Sequence, residues 1–224
     1  MYVDNMQKIK YQSYLASAKK LQTEVQLIGR LDLLNKTKFK KKYEAGDITG
    51  KEIAEFNHEK GCQYELSIFE DDEIFCHLVL FKDFMKVNFI DGNGRLYLIY
   101  LFSPSKKHSE RFFIPEVWYY NYISELNSEE SYRLHFVFDE DGNVSYRKYD
   151  EVNKKFFDYE SKEPSDISGL YEAYPEFEKY ESLIRLERNF PLDIIPKESD
   201  ETPDNDPDRT DDSENKWLPP NWNN

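Results

Sequence analysis

The sequence predicts an α+β fold: N-terminal helices followed by an aromatic-rich antiparallel sheet with one or two packed helices. Three observations point there. Apolar residues recur at helical spacing up to about residue 60 and at a spacing of two thereafter. Clusters rich in Asp and Gly separate the later apolar runs, as hairpin turns require. Aromatic residues make up 16% of the chain, with 17 Tyr and 16 Phe against only 8 Gly. Large flat side chains suit half-exposed sheets and recognition surfaces; the same composition also follows from a low-GC coding bias.

Residues 5–35 read as the first helix, because Ile9, Leu15, Ala16, Leu21, Val25, Leu27, Ile28, Leu31 and Leu34 recur near helical spacing without Pro. A short second helix over Lys38–Ala45 is closed by Gly46. A third over Lys51–Glu59 opens on the capping-box pair Thr49 and Glu52 and stops at Gly61. Lys36, Lys38, Lys40, Lys41 and Lys42 fall in this front end. No aromatic platform is interleaved with them, so the run reads as a solvated face rather than a phosphate-binding patch.

The period then changes. Tyr64, Leu66 and Ile68 alternate with Glu65 and Ser67, a half-buried strand. Glu70-Asp71-Asp72-Glu73 turns the chain into the near-continuous apolar run Ile74–Phe81, a strand covered on both faces. Met85, Val87 and Phe89 form the next strand, Asp91-Gly92-Asn93-Gly94 the next turn, and Leu96–Phe102 the return. These make a four-stranded meander. After a polar loop over 104–110, Pro115 and Glu116 open a helix to about Leu126, since Pro suits the first helical position. Tyr132–Phe138, the turn Asp139-Glu140-Asp141-Gly142 and Val144–Tyr149 form a hairpin, with Phe156, Phe157 and Tyr159 as an edge strand. A final helix runs from Pro175 to about Asn189, ahead of Pro191.

Three regions follow: a helical part over 1–60 and an antiparallel sheet part over 61–196, both in one globular unit, then a tail over 197–224. The tail is dense in Asp, Glu, Pro and Ser and is expected to be disordered; it ends in Trp217-Leu218-Pro219-Pro220-Asn221-Trp222. The net charge of -14 is unevenly spread: the first region has 12 Lys and Arg against 8 Asp and Glu, the second 15 against 27, the tail 3 against 9. A negative sheet region repels nucleic acid and attracts a basic partner, though such charge also serves solubility alone. There is no apolar leader at the start and no apolar run long enough to span a membrane. The expectation is therefore a cytoplasmic protein with reduced Cys62 and Cys76.

Chemistry is hard to find. His58, Cys62, Cys76 and His77 are the right ligand types for zinc, but adjacent strand residues point to opposite faces, so Cys76 and His77 cannot share a metal. No nucleophile elbow, phosphate loop or calcium loop is present. The acid pairs Asp71/Asp72 and Asp139/Asp141 fall in turns, where Asp is common for backbone reasons. No catalytic residue, metal or cofactor is expected.

Tyr132-Arg133-Leu134-His135-Phe136-Val137-Phe138-Asp139-Glu140-Asp141-Gly142-Asn143, followed by Tyr146 and Tyr149-Asp150, resembles the late strand–turn–strand segment of the YezG-like immunity proteins of bacterial polymorphic toxin systems. Ile114-Pro115-Glu116-Val117-Trp118 is similar to a short element of that group, displaced here to follow the meander. The resemblance covers about 40 residues and transfers no functional residue. It implies an immunity protein that binds a toxin domain and blocks its active site, the alternatives being an acidic nucleic-acid mimic or an enzyme without a readable motif. The expected partner surface comprises the acidic turns Glu70, Asp71, Asp72, Glu73 and Asp139, Glu140, Asp141, with Tyr97, Tyr119, Tyr120 and Tyr146 as aromatic anchors.

Overall fold

The computed structural model describes residues 8–124 and 127–188. Among these, the chain enters with strand β1 (Lys8–Lys10) and a small hairpin, β2 (Tyr14–Leu15) and β3 (Lys20–Leu21). Helices α1 (Glu24–Asn35), α2 (Phe39–Glu44) and α3 (Gly50–Glu59) follow. A long meander comes next: β4 (Tyr64–Glu70), β5 (Glu73–Phe81), β6 (Phe84–Ile90), β7 (Leu96–Pro104), β8 (Arg111–Tyr122), β9 (Glu130–Phe138), β10 (Val144–Asp150) and β11 (Lys155–Glu160). The short β12 (Tyr171–Ala173) and α4 (Glu181–Ile184) complete it. The meander strands are neighbours in chain order; β1 lies outside β4, and β12 pairs with the start of β8.

The mixed fold and the large antiparallel sheet agree with the sequence; the order of the N-terminal elements does not. Strands come first, and the helix expected over 5–35 begins only at Glu24; residues 5–7 lie outside the described residues. The stop signal is local. Thr23 and Gln26 form a capping box, each side chain bonded to the other's backbone N–H. The apolar spacing before Thr23 instead serves the hairpin, where Tyr14 pairs with Leu21 and donates its hydroxyl to the Gly94 carbonyl at 2.7 Å. At α3 the expected box is present, with Glu52 accepting from the Thr49 backbone at 2.8 Å.

Two further helices are corrected. The one opened by Pro115 is strand β8. Its register shifts between Leu101 and Ser103, which leaves Ile114 and Pro115 bulged where no ladder N–H is needed. The aromatic and β-branched run around the proline then favours the strand; the expected end at Leu126 lies outside the described residues. The helix expected from Pro175 is reduced to Glu181–Ile184, and its end near Asn189 is also outside the described residues. Tyr174, Phe177 and Tyr180 share helical spacing by coincidence. Each packs separately: Tyr174 stacks on His58, Phe177 on Tyr11, and Tyr180 is buried with its hydroxyl 3.4 Å from that of Tyr64. The tail over 197–224 lies outside the described residues.

Strand alternation sorts the side chains into two faces. One face carries the main core: Tyr64, Leu66 and Ile68 of β4, Cys76, Leu78 and Leu80 of β5, Met85, Val87 and Phe89 of β6, Tyr100 and Phe102 of β7. It continues through Val117, Phe138 and Val144 and is covered by Ala54 of α3 and by Leu170, Tyr180, Leu183 and Ile184. Each buried Val, Leu, Ile, Phe or Met among them contributes about 1.5–3 kcal/mol by leaving water. The opposite face is covered only in its first half. There α1 and the β2–β3 hairpin lie over β4–β7, with Leu27, Ile28 and Leu31 buried. No described α-helix lies on that face over β8–β11; the short 3-10 turn Ala16–Ala18 borders its Tyr120 end.

Candidate functional site

The uncovered half-face is built by register. Trp118 of β8 pairs with His135 of β9, which pairs with Arg147 of β10 and on to Asp158 of β11. One step along, Tyr120 pairs with Arg133, Tyr149 and Phe156. The two rows interlock. His135 stacks on Trp118 with ring centroids 3.9 Å apart and planes 9° from parallel. Trp118 also stacks on Tyr120 and Tyr149, both at 6.3 Å. The Arg133 guanidinium lies 4.5 Å from the Tyr149 ring centre, and that of Arg147 lies 4.7 Å from Phe156.

The charges on this face are paired within it. Arg147 donates to Asp158 through Nε at 2.6 Å and Nη2 at 2.8 Å, a bidentate contact that pushes the arginine pKa up. Arg133 Nε lies 3.3 Å from a Glu151 oxygen, and His135 Nε2 lies 3.0 Å from Glu116 Oε2. Burial pushes the Tyr120 phenol up to about 12, with Arg133 opposing. Val137 and Phe156 remain exposed, at 37% and 38%. Trp, Tyr and Arg in a half-covered, interlocked patch have the composition of a protein hot spot. Their mutual stacking fixes the rotamers beforehand, which lowers the ordering cost of docking. A single-stranded nucleic acid would need free ring faces, and here the faces are already paired.

The expected site residues fall in four places. Glu70, Asp71, Asp72 and Glu73 form the β4–β5 turn, with Asp71 and Asp72 at φ +49 and +64. Asp139, Glu140 and Asp141 form the β9–β10 turn. Five steps of a strictly antiparallel sheet separate β4 from β9, so these strands run in opposite directions and the two acidic turns sit at opposite rims. The second turn is also occupied internally. Asp139 accepts from the backbone of Asp141 and Asn143, and its pKa is lowered by the Asn143 side chain and these bonds. Glu140 accepts from Ser105 Oγ at 2.6 Å and Lys106 N at 2.7 Å, and Asp141 meets Lys107 Nζ at 2.6 Å.

The tyrosines also separate. Tyr120 is on the open half-face. Tyr97 and Tyr119 are half-buried on the core side, near Phe89 and Tyr132. Tyr146 is 4% exposed and stacks on Tyr159 at 4.5 Å, which corrects its expected role as a partner anchor. Trp118, Arg133, His135, Arg147, Tyr149 and Phe156 were not among the residues expected at the partner surface. The alternation of Arg133 and His135 with Leu134 and Phe136 carried the signal for β9, and reading 115–126 as helix hid Trp118.

Beneath α1 the same sheet face holds a buried polar cluster. Glu65 is 2% exposed and accepts from Arg30 Nη2 at 2.8 Å and Gln63 Nε2 at 3.0 Å; His77 Nε2 lies 3.2 Å from it. Burial alone would raise the Glu65 pKa, but His77 and Arg30 together hold it down at about 2. Ser13 Oγ lies 3.4 Å from the same His77 nitrogen, while Nδ1 faces Asn88 at 3.2 Å. A serine relay places nucleophile and carboxylate on opposite ring nitrogens, so this geometry holds the imidazole without activating Ser13. Cys76 is in the core and its neighbour His77 is on this opposite face. Among the described residues no three His, Cys, Asp or Glu side chains converge as a metal site.

No family model matches the chain, and neither the curated proteins nor the solved structures hold a match to it.

Proposed function

We propose that the chain is a protein-binding inhibitor of the immunity class, which docks on a cognate toxin domain through the open half-face of β8–β11 and occludes that toxin's active site. The observation that supports this reading is the interlocked patch of Trp118, Tyr120, Arg133, His135, Arg147, Tyr149 and Phe156 on a sheet face with no described α-helix over it. It brings aromatic anchors and arginines together on rigid strands. The surrounding net negative charge suits a partner with a basic surface, such as a nuclease groove.

The nucleic-acid-mimic alternative is less well served. A mimic presents acids along one continuous face, whereas the acidic turns here lie at opposite rims and Asp139 and Glu140 are bonded within the fold. Isolation of the tagged chain from its source organism tests the reading. One stoichiometric partner that slows hydrogen exchange in β8–β11 supports it; many basic partners, or protection confined to the 70–73 turn, contradicts it.

A further inference from the structure

The three N-terminal helices meet at one end of the molecule. The Asp32 carboxylate of α1 accepts from the backbone N–H groups of Phe39 and Lys40, both at 2.9 Å, which sets the start of α2 against the last turns of α1. Asn35 Nδ2 donates to the Gln63 carbonyl at 2.8 Å, which brings the chain that follows α3 to the same end. The lysines expected to form a solvated face gather here beside projecting apolar side chains. α1 buries Leu27, Ile28 and Leu31; at about 100° per residue Leu33 projects from its other side. Leu33 is 83% exposed and Leu34 is 55% exposed. Lys36 follows Leu33 by three residues, and the Lys40 side chain lies over Gly29, one turn before Leu33, where an added Cβ would meet Lys40 Cδ at 3.5 Å. Among the described residues Lys36, Lys38, Lys41 and Lys42 form no ion pair, and Lys40 has an exposed contact with Glu44 at 3.8 Å. Neither feature serves the fold. A leucine so exposed gains little by folding, and Lys38 and Lys40 flank the start of α2, where a helix favours acids.

We infer that this end of the molecule is a docking surface for an anionic lipid membrane, with Leu33 and Leu34 entering the interfacial layer and Lys36, Lys38 and Lys40 among the headgroups. Charge complementarity selects the occupant: unpaired ammonium groups stand together in a chain whose net charge is -14. The leucines beside them call for an apolar phase beneath the anionic charge, which a membrane surface supplies. A nucleic acid offers phosphates but nothing apolar for Leu33. A single strand would also need free aromatic faces, whereas Phe39 and Phe56 pack edge to face with ring centroids 5.1 Å apart. The surface is built from α1 and α2, apart from the open half-face of β8–β11, so it does not rest on the proposed inhibitor reading.

Co-sedimentation of the full chain with vesicles of phosphatidylcholine alone, and of phosphatidylcholine with an equal part of phosphatidylglycerol, tests the inference. Binding is expected to the anionic vesicles only and falls steeply as salt is raised. Near such a surface each lysine is worth about fivefold in affinity, so Lys36→Glu/Lys38→Glu is expected to bind at least about tenfold more weakly. Leu33→Ser/Leu34→Ser, which keeps every lysine, is expected to lose about tenfold as well, a loss that a purely electrostatic contact would not show. Both pairs are exposed, so their melting curves are expected to match that of the native chain. Should the leucine pair not fold, Leu33→Ser alone, expected to bind several-fold more weakly, takes its place. The inference is overturned if the native chain leaves the anionic vesicles unbound, or if either folded variant binds them as the native chain does. Binding of polyglutamate or single-stranded RNA at this end without binding of vesicles would also overturn it, assigning the patch to an acidic peptide or a nucleic acid.

Discussion

His135 lies flat on Trp118, with ring centroids 3.9 Å apart. The pair is cross-strand, on adjacent strands β8 and β9, and it is continued by Tyr149 on β10. A stack of this kind holds the open half-face in one shape without help from a covering helix. It also separates two roles for aromatic residues in this sheet: those that hold the core and those that present a surface.

That separation predicts how substitutions divide. Trp118→Ala and Tyr149→Ala are each expected to cost about 0.5–1.5 kcal/mol, the scale of a cross-strand aromatic pair. Tyr146→Ala, which empties a buried position, is expected to cost about 3–5 kcal/mol. Urea unfolding of the three variants gives the comparison, and equal losses would mean that the half-face is core.

The turns predict opposite signs. Gly142 has φ +91, and an added Cβ would meet the Ser165 carbonyl oxygen at 2.9 Å. Gly142→Ala is expected to destabilise by roughly 1–3 kcal/mol. Asp72 holds φ +64 in the two-residue β4–β5 turn, where glycine is the easier occupant, so Asp72→Gly is expected to stabilise by about 0.5–1 kcal/mol. Thermal unfolding reads both.

Lys86 predicts a pH dependence. Burial lowers its folded pKa to about 8 from 10.5. Between these values the unfolded chain binds a proton that the folded chain does not, so this residue makes stability rise with pH across that window. Below pH 8 the charged form is a standing cost. Lys86→Met is expected to be more stable at pH 7 by about 2 kcal/mol and to lose the rise between pH 8 and 10.5. A loss of stability at pH 7 would show that the ammonium is a net contributor.

Steering predicts a further division. Asp71→Asn with Asp72→Asn should slow association with a basic partner several-fold at low salt and leave dissociation nearly unchanged. Asp139→Asn should lower stability instead, since that carboxylate closes the β9–β10 turn. Stopped-flow association at two ionic strengths, with a melting curve for each variant, separates the two effects.

The sheet was legible because its signals are short-range: Asp71-Asp72, Asp91–Gly94 and Asp139–Gly142 mark turns, and Leu66/Ile68 or Phe136/Phe138 mark a buried face. The Thr49–Glu52 box was legible for the same reason. Pro115 misled, because the residue that suits a helix start also suits a bulge, and only the pairing with Leu101 and Ser103 decides between them. Phe177 and Tyr180 misled because they pack on Tyr11 and Tyr64, far away in the chain, rather than on one face of a helix. The candidate site was the least legible part. Its residues come from four strands, and no stretch of sequence shows that Trp118, Arg133, Tyr149 and Phe156 share one open half-face.

The central claim, that this half-face is where a partner protein docks, is tested most directly by the affinity of that partner for the Trp118→Ala/Tyr149→Ala double variant, checked for folding by its melting curve. The account predicts a loss of at least about 2 kcal/mol, some thirtyfold in Kd, from removing two hot-spot aromatics. A folded double variant that binds with native affinity would contradict it.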